Sequence, residues 1–282
     1  MPEQALQYQL AELKPEDFMV IPSLNIAIAK AKARASDGKV LTRISWYDTK
    51  LLTQGLGSNY FLPTSAQWGG KEKGARPYLQ QNYPELEKDF ISGECEWVDS
   101  LLAFPNSERG YSPRLQIPGI KEGKVPLLID HAKVEKSGES YILKEGKLTK
   151  VTEVPELPLK SRYIQAWSEG LGLPTKVGKD PNEKFEGAYF WVNTDYSYHE
   201  GLRALVRGLW GWRAREGRFD TYADWDPSDS GSGVGFRLSR VASADEGFVK
   251  IPRTDYEAMI KEREAVSKSM KRLEELLSRV KV

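Results

Sequence analysis

Residues 62–68 read LPTSAQW, an extended step that runs directly into a helix. Pro63 restricts Leu62 to an extended backbone, and the Thr64 hydroxyl can cap the free amides of the helix that follows. Trp68 falls on the helical face four residues after Thr64, at the spacing of one helical turn. The segment therefore predicts a helix start with a tryptophan that belongs to the core and not to a contact surface.

Two further helices are predicted upstream of this stretch. Residues 23–35 (SLNIAIAKAKARA) repeat isoleucine and alanine as on one helical face, behind a serine that can act as the cap. Residues 40–57 (VLTRISWYDTKLLTQGLG) predict a short strand that runs into a helix. Trp46 heads that helix, and Gly55 or Gly57 closes it.

The downstream part of the chain predicts short strands. Residues 95–159 are rich in Pro, Gly and Lys, and a turn at residues 144–147 (KEGK) predicts an inserted hairpin. Phe236 and Leu238 alternate with smaller or charged residues, which predicts a central strand with its apolar face inward. Short apolar stretches separated by Gly and Asp predict the remaining strands of a strongly looped sheet: SRYIQAW, GAYFWVN, RALVRGLWGW and GVGFRLSRV.

Residues 251–282, which follow a first domain over residues 1–250, predict a long helix. A capping-box start at residues 252–257 is followed by an apolar stripe with alternating steps of four and three. The stripe consists of Val266, Met270, Leu273, Leu277 and Val280. Two interpretations stay open, since the stripe can pack on its own domain or associate with a second copy in a short coiled coil.

Composition narrows the class of protein. The 282 residues include 41 Lys and Arg against 40 Asp and Glu, so no net field draws the protein to nucleic acid or to an anionic membrane. The N-terminal residues are acidic where a signal peptide would be basic, and no run of about 18 apolar residues occurs. We therefore expect a soluble protein without membrane insertion, located in the cytoplasm or on a virion, that does not bind nucleic acid.

Several motifs, in order along the chain, resemble a known family. Residues 44–48 (ISWYD) resemble the V-S-W-Y-D helix entry of the formylglycine-generating-enzyme, or sulfatase-modifying-factor, family, and residues 62–68 resemble its L-P-T-E-A-E-W signature. Residues 96–99 (EWVD) are similar to its G-N-V-W-E-W stretch, and residues 207–210 and 235–238 (GFRL) to the elements that close the domain. This resemblance implies an α+β C-type-lectin-like fold over about residues 22–241, within the domain of residues 1–250. An insertion at about 105–184 and the terminal helix lie outside it.

The enzymes of that family use chemistry for which this sequence lacks the residues. A pair of thiols is needed for copper or disulfide chemistry, and Cys95 is the single cysteine. The related iron branch needs two histidines and a carboxylate at one point, yet no strand or helix spacing links His131 to His199. We expect both histidines to be ordinary surface residues, and we expect no cofactor and no catalytic residue.

Other ligand-binding patterns are weak. Residues 231–235 (GSGVG) look like a phosphate loop but precede a strand, so no helix N-terminus would face an anion. Asp224, Asp226 and Asp229 alternate in a way that suits calcium, although the spacing and the bidentate Glu of a known calcium loop are missing. The sequence therefore predicts no metal site.

The stretch GWRAREGRFDTYADWDPSDSGSG, residues 211–233, has almost no apolar period yet carries four aromatic residues. Aromatic side chains supply contact area at low entropic cost, and Asp, Ser and Arg tune hydrogen bonding, as a recognition surface requires. The competing interpretation is that the aromatics fold back and pin long loops.

The same stretch resembles the variable region of diversity-generating-retroelement variable proteins, a branch of the same lectin fold. Trp210 corresponds to that pattern's entry tryptophan, residues 223–227 (ADWDP) fall at the matching distance, and residues 235–238 close it. The resemblance implies these diversified positions: Gly211, Trp212, Arg213, Glu216, Thr221, Ala223, Asp224, Trp225, Asp226, Asp229, Gly231, Ser232 and Gly233, with Phe219, Tyr222 and Ser230 as neighbours.

The sequence thus predicts a non-enzymatic receptor domain whose variable patch binds an unknown protein or cell-surface ligand. Trp212, Tyr222 and Trp225 would be the anchors. Two alternatives stay open: a metal-dependent oxidase or sulfoxide-type synthase of the same fold, and a structural virion or assembly component that forms a homo-oligomer through its terminal helix.

Overall fold

The structure, a computed structural model, describes most of the chain. The described residues are 8–69, 74–86, 95–106, 108–120, 125–151, 162–168, 170–178, 189–192, 201–208, 220–230, 234–243, 266, 269, 270 and 272. The chain divides into two compact units, Met1–Ala242 and Ser243–Val282.

The first unit combines helices with mainly antiparallel sheets, so the predicted α+β class is confirmed. The helices are α1 (Trp46–Gly55), α2 (Ser65–Gly69) and α3 (Ala75–Asn82). The strands are β1 (Phe18–Ile21), β2 (Ile26–Ala29), β3 (Tyr60–Phe61), β4 (Glu96–Ala103), β5 (Leu127–Ser137), β6 (Ser140–Lys150), β7 (Arg162–Ser168), β8 (Leu173–Gly178), β9 (Tyr189–Val192), β10 (Leu202–Gly208), β11 (Asp220–Trp225), β12 (Gly235–Phe236) and β13 (Ser239–Val241).

Two sheets are built from these strands over the described part of the chain. The smaller has the order β1-β2-β13-β3. The larger has the order β6-β5-β4-β10-β11-β9-β7-β8, with β12 added beside β4, and it curls into a half barrel. Neighbouring strands are antiparallel except for the β11–β9 and β12–β4 pairs.

Strand β4 lies at the centre of the core because both of its faces are covered. All eight of its residues are buried, and its apolar side chains alternate between two clusters. Trp97 and Leu101 belong to one cluster, whereas Val98 and Leu102 belong to the other. Burial of each such side chain stabilises the fold by about 1.5–3 kcal/mol, so β4 is a strongly held strand on which a site can be built.

Both predicted helix starts downstream of residue 40 are confirmed in atomic detail. The Ser45 hydroxyl accepts a hydrogen bond from the Asp48 amide at 3.0 Å at the start of α1. Thr64 and Gln67 form a reciprocal pair at the start of α2: each backbone amide donates to the other's side-chain oxygen. Trp68 is 2% exposed, as the sequence predicted for a core residue.

The helix predicted over residues 23–35 is wrong. Residues 22–24 form a short 3-10 turn, Asn25 takes a left-handed backbone with φ 52°, and β2 follows. All four residues of β2 are buried because its side chains alternate between two core clusters, with Ala27 and Ala29 in one and Ile26 and Ile28 in the other. A strand covered on both faces is apolar at every position, and a run of Ile and Ala then imitates one face of a helix. The strand predicted just before α1 is also absent, since residues 41–45 have no strand structure.

The predicted hairpin exists as β5 and β6, but its turn lies elsewhere. The strands meet at Gly138, where φ is 63°, with Ser137 and Ser140 paired. The turn predicted at residues 144–147 (KEGK) is wrong, because these residues lie inside β6. Its glycine serves close packing, because a Cβ on Gly146 would lie 2.9 Å from the Ile129 Cγ2 atom.

Of the terminal helix, the structure describes four residues. Val266, Ser269, Met270 and Arg272 are helical. Val266 and Met270 belong to the predicted apolar stripe, and both are more than half exposed. The rest of the predicted stripe and its capping box lie outside the described residues.

The Gln54 side chain extends the large sheet beyond the end of the β4–β5 pairing. Its amide nitrogen donates to the Val134 carbonyl at 2.8 Å, and its amide oxygen accepts from the Val134 amide at 2.8 Å. β4 pairs with β5 only as far as Asp130, so a side chain of α1 supplies the two bonds that a strand would otherwise supply.

We expect Gln54→Ala to lower the free energy of unfolding by about 1–3 kcal/mol, because it leaves a buried donor and a buried acceptor of Val134 without their partner. Gln54→Glu should retain the acceptor and lose the donor. Urea unfolding of both variants beside the wild type measures the effect. Equal stability of Gln54→Ala and the wild type would show that the pair contributes nothing.

Candidate functional site

Two strands that flank the predicted variable segment are fixed to the same two residues of β4. In β10, Val206 pairs with Trp97 and Arg207 pairs with Glu96. In β12, Gly235 pairs with Glu96 and Phe236 pairs with Trp97. Because β10 and β12 add to opposite edges of β4, the two ends of the segment lie about 10 Å apart, two strand spacings.

The segment re-enters the sheet between these ends. Strand β11 pairs antiparallel with β10, and Gly208 lies directly opposite Asp220. Residues 209–219 therefore connect two adjacent positions of neighbouring strands. On its other edge β11 pairs with β9, so its backbone is held from both sides.

A buried ion pair joins β4 to the residue that follows β12, next to the end of the segment. The Arg237 Nε atom donates to the Glu96 Oε1 atom at 2.8 Å, and both side chains are at most 4% exposed. Another Arg237 nitrogen donates to the Lys30 carbonyl. The sequence predicted one strand over residues 235–238 with Arg237 opposite its apolar face. That prediction is wrong, because β12 ends at Phe236 and Arg237 is itself 1% exposed.

Two of the predicted contact residues are in the interior, which corrects the predicted patch. Ala223 is 0% exposed and packs in the same cluster as Leu205. Asp226 is 7% exposed, and its carboxylate accepts from the backbone amide and the hydroxyl of Ser228. β11 carries one extra residue opposite Leu205, and this bulge turns Ala223 inward. Asp226 stabilises a turn, which is a common role of aspartate after a strand.

Trp225 is partly buried. It therefore fits the interpretation that the aromatics pin the loops better than the interpretation that they contact a ligand. Its ring lies edge-on to Trp97 with centroids 6.1 Å apart, and it packs against the core cluster of β4. The ring therefore holds the end of β11 on the frame, and only part of its surface faces solvent.

The residues after Trp225 form an accessible turn. Ser228 and Ser230 are exposed and Asp229 is half-buried. The Asp229 amide donates to the Asp226 carbonyl at 3.0 Å, and the Tyr47 amide donates to the Pro227 carbonyl at 3.2 Å. The turn is thus fixed to α1, and it presents the two serines and part of the Asp229 side chain.

The remaining predicted positions are described only in part. For Thr221, Tyr222 and Asp224 the structure gives the backbone, as part of β11. The other predicted positions lie outside the described residues: Gly211, Trp212, Arg213, Glu216, Phe219, Gly231, Ser232 and Gly233. His199 and Trp210 also lie outside them. Among the side chains that are described, no group of three or more His, Cys, Asp or Glu is placed to hold a metal ion.

A second polar cluster, which sequence reasoning missed, lies between α1, β4 and β5. Lys50 donates to the buried Asp99 Oδ1 atom at 2.6 Å, and His131 Nδ1 lies 3.1 Å from the Asp99 Oδ2 atom. Burial alone would raise the pKa of Asp99, but the positive charge of Lys50 and the His131 contact outweigh it and lower the pKa. The imidazole of His131 is 43% exposed, so this histidine is a surface residue as predicted, yet it is tied to a buried carboxylate.

His131 reaches Asp99 because of a backbone irregularity. Its φ is 54°, in the left-handed region, and the pairing of β5 with β6 shifts register just after Asp130. The bulge turns the imidazole toward β4. In the sequence the only sign of this cluster is the polar pair Asp130-His131 within the apolar strand LLIDHAKV.

On the other side of β4, Asp130 interacts with a chain of hydroxyl groups. Ser100 Oγ donates to Asp130 Oδ1 at 2.6 Å and accepts from the Ser65 amide at 3.0 Å. Ser65 Oγ in turn donates to the Gly172 carbonyl at 2.5 Å. The chain joins β5, β4, the start of α2 and the connection between β7 and β8.

Comparisons with protein-family models, with curated proteins and with solved structures gave no match. Within the described part of the chain, no helix is long and apolar enough to cross a lipid bilayer.

Proposed function

We propose that the chain is a non-enzymatic ligand-binding domain that displays a diversified surface on a C-type-lectin-like frame of the formylglycine-generating-enzyme type. The partner is a protein or a cell-surface ligand. The surface comprises residues 211–222, Asp224 and residues 229–233, while Ala223, most of Trp225 and Asp226 belong to the frame.

The observation that carries this proposal is the attachment of β10 and β12 to the same residues, Glu96 and Trp97, on opposite edges of β4. A recognition surface that changes in sequence needs ends that do not move when its side chains change. Here the ends are fixed by backbone pairing, by the buried Arg237–Glu96 ion pair and by the Trp225–Trp97 contact. None of these depends on a side chain from residues 211–219.

Residues 211–222 can contact a ligand or pack in the core, and these two interpretations predict different effects of substitutions on stability. If the side chains face a ligand, most residue types are tolerated, because surface changes alter stability by about 0.5 kcal/mol or less. If the aromatics pin the loops as core, truncation costs about 3–5 kcal/mol. The composition of residues 211–219, with charged residues beside aromatic ones, favours the first reading.

We expect a library randomised at Trp212, Arg213 and Glu216 to remain as resistant to a protease as the wild-type protein. A matched library at Trp97 and Phe236, which are at most 1% exposed, should be degraded. Displaying both libraries on yeast and sorting after protease treatment measures the retained fraction. Equal loss in the two libraries would place the loop residues in the core and contradict the proposal.

Selection of the same loop library against a soluble test protein, streptavidin, then measures its capacity to bind. A control library of equal size on exposed residues of the hairpin, Glu135, Glu145 and Lys147, should give fewer binders.

The proposal that a retroelement diversifies the segment is tested in the neighbouring DNA. We expect a reverse transcriptase gene and a near copy of the codons for residues 205–238 that differs chiefly at adenines.

A further inference from the structure

Two carboxylates on neighbouring strands are buried in unequal surroundings. Asp99 is 0% exposed and contacts the ammonium of Lys50 and the ring of His131. Asp130 is 6% exposed, and its hydrogen-bond partner is the neutral hydroxyl of Ser100. Within the described residues, no Lys or Arg nitrogen lies within ion-pair distance of Asp130. A buried carboxylate that has no cation beside it favours its protonated form.

Charged groups on three strands act on Asp130. Asp99 on β4 repels its negative charge, whereas His131 on β5 and Lys147 on β6 attract it weakly. Lys147 is the strand partner of Asp130 but is itself exposed. From α2, the described group nearest in the hydrogen-bonded chain is the uncharged Ser65.

The protonation equilibrium of Asp130 follows from this balance. Burial raises the pKa of Asp130 to about 6, against the lowering effects of the Ser100 hydrogen bond and of His131. In the unfolded chain the same carboxyl has an ordinary pKa of about 3.9. Between these two values the folded protein binds a proton that the unfolded chain does not bind.

We propose that Asp130 is a proton sensor, and that uptake of a proton on acidification removes a buried charge from the junction of β4, β5 and α2 and stabilises the fold. A carboxyl whose pKa is raised in the folded state opposes folding when it is ionised, above about pH 6. That penalty is relieved as the pH falls toward the unfolded value. The Asp130 contribution to the folding constant is therefore about tenfold larger at pH 5 than at pH 7.

The test compares urea unfolding of the full chain at pH 5 and pH 7 for the wild type and for Asp130→Asn. The amide keeps the shape of the side chain and an acceptor for Ser100 but cannot take up the proton. We expect the ratio of folding constants, pH 5 over pH 7, to be about tenfold larger in the wild type than in Asp130→Asn. Equal ratios in the two proteins would overturn the proposal.

Two control variants separate Asp130 from other titrating groups. Asp37→Asn removes an exposed carboxylate that pairs with Lys39, and should retain the wild-type ratio. His131→Asn removes the imidazole, and asparagine accepts the left-handed backbone at that position. This variant should also keep the acid response. Loss of the response in His131→Asn, with Asp130 intact, would assign it to the histidine and overturn the proposal.

Ser100→Ala is a second test that retains the carboxylate and does not require Asp130→Asn to fold. The Ser100 hydrogen bond favours the ionised form of Asp130, so its removal should raise the pKa. We expect the midpoint of the stability change to move to higher pH than in the wild type. A midpoint that stays in place or falls would contradict the assignment.

Discussion

Glu96→Ala is expected to lower the free energy of unfolding by about 3–5 kcal/mol, because it leaves the Arg237 guanidinium buried without its carboxylate. The Nε–Oε1 distance is 2.8 Å, and the Arg237 side chain is 0% exposed. Urea unfolding monitored by tryptophan fluorescence measures the change, since Trp97 follows Glu96 in the same strand.

The matched control is an ion pair on the surface of the hairpin. Lys133 and Glu145 are 3.3 Å apart, and their side chains are 52% and 67% exposed. Glu145→Ala should cost less than about 1 kcal/mol, because both charges stay hydrated. If Glu96→Ala were no more costly than Glu145→Ala, the buried pair would not be what holds the frame.

The Glu96 variant also has a consequence for the proposed binding surface. Glu96 pairs through its backbone with both Arg207 and Gly235, so the same residue contacts the two ends of the segment that we propose to be variable. Weakening the frame at this point should reduce the protease resistance of the whole segment. A library made in the Glu96→Ala background should then tolerate fewer loop sequences than the wild-type frame, because less stability remains to be lost.

The sequence predicted those features that depend on local rules. The starts of α1 and α2 follow from side chains that bond backbone amides within the same turn, as Ser45 and Thr64 do. The burial of Trp68 follows from its place on the helix. Strands β7, β9 and β10 follow from short apolar stretches and from the Gly and Asp clusters that interrupt them. Each of these signals lies within a few residues of its effect. Strands β8 and β11 were not predicted, and the strand predicted over residues 235–238 is wrong, because β12 and β13 belong to different sheets.

Features that depend on distant contacts were missed. Residues 26–29 form a strand because β1 and β13 pair with both of their edges, and neither partner can be inferred from the repeat of Ile and Ala. The Asp99–His131 contact spans 32 residues and needs a bulge at a left-handed residue. A short peptide sequence does not encode where such a bulge falls.

Two residues of the predicted patch, Ala223 and Asp226, show why a local sequence pattern was not sufficient. Alternation in a strand separates inward from outward residues only when the register has no bulge, and β11 has one opposite Leu205. Ala223 was predicted in the patch from the resemblance to variable proteins, and it is buried. Asp226 was predicted as a contact because it is charged, but its carboxylate is used inside its own turn. The burial of Ala223 and Asp226 depends on contacts in three dimensions that the sequence pattern does not reveal.

The second large effect is expected at Gly172, in the connection between β7 and β8. Its φ is 64°, and a Cβ there would lie 2.1 Å from the Ala66 amide nitrogen at the start of α2. Real Cβ atoms essentially never approach a backbone atom within 3.0 Å, so the loop or the helix must move. That movement also breaks the 2.5 Å hydrogen bond from Ser65 to the Gly172 carbonyl. We expect Gly172→Ala to cost about 4 kcal/mol, from backbone strain and overpacking together.

Gly138→Ala is the control that isolates the steric part of this effect. Gly138 has nearly the same backbone, with φ 63°, but nothing lies within 4 Å of its added Cβ. Its substitution should therefore show only the cost of a left-handed alanine, about 1–2 kcal/mol. Urea unfolding of the two variants gives the difference directly. If Gly172→Ala were no less stable than Gly138→Ala, α2 would yield at no cost, and the close approach of the loop to α2 would not contribute to the stability of the fold.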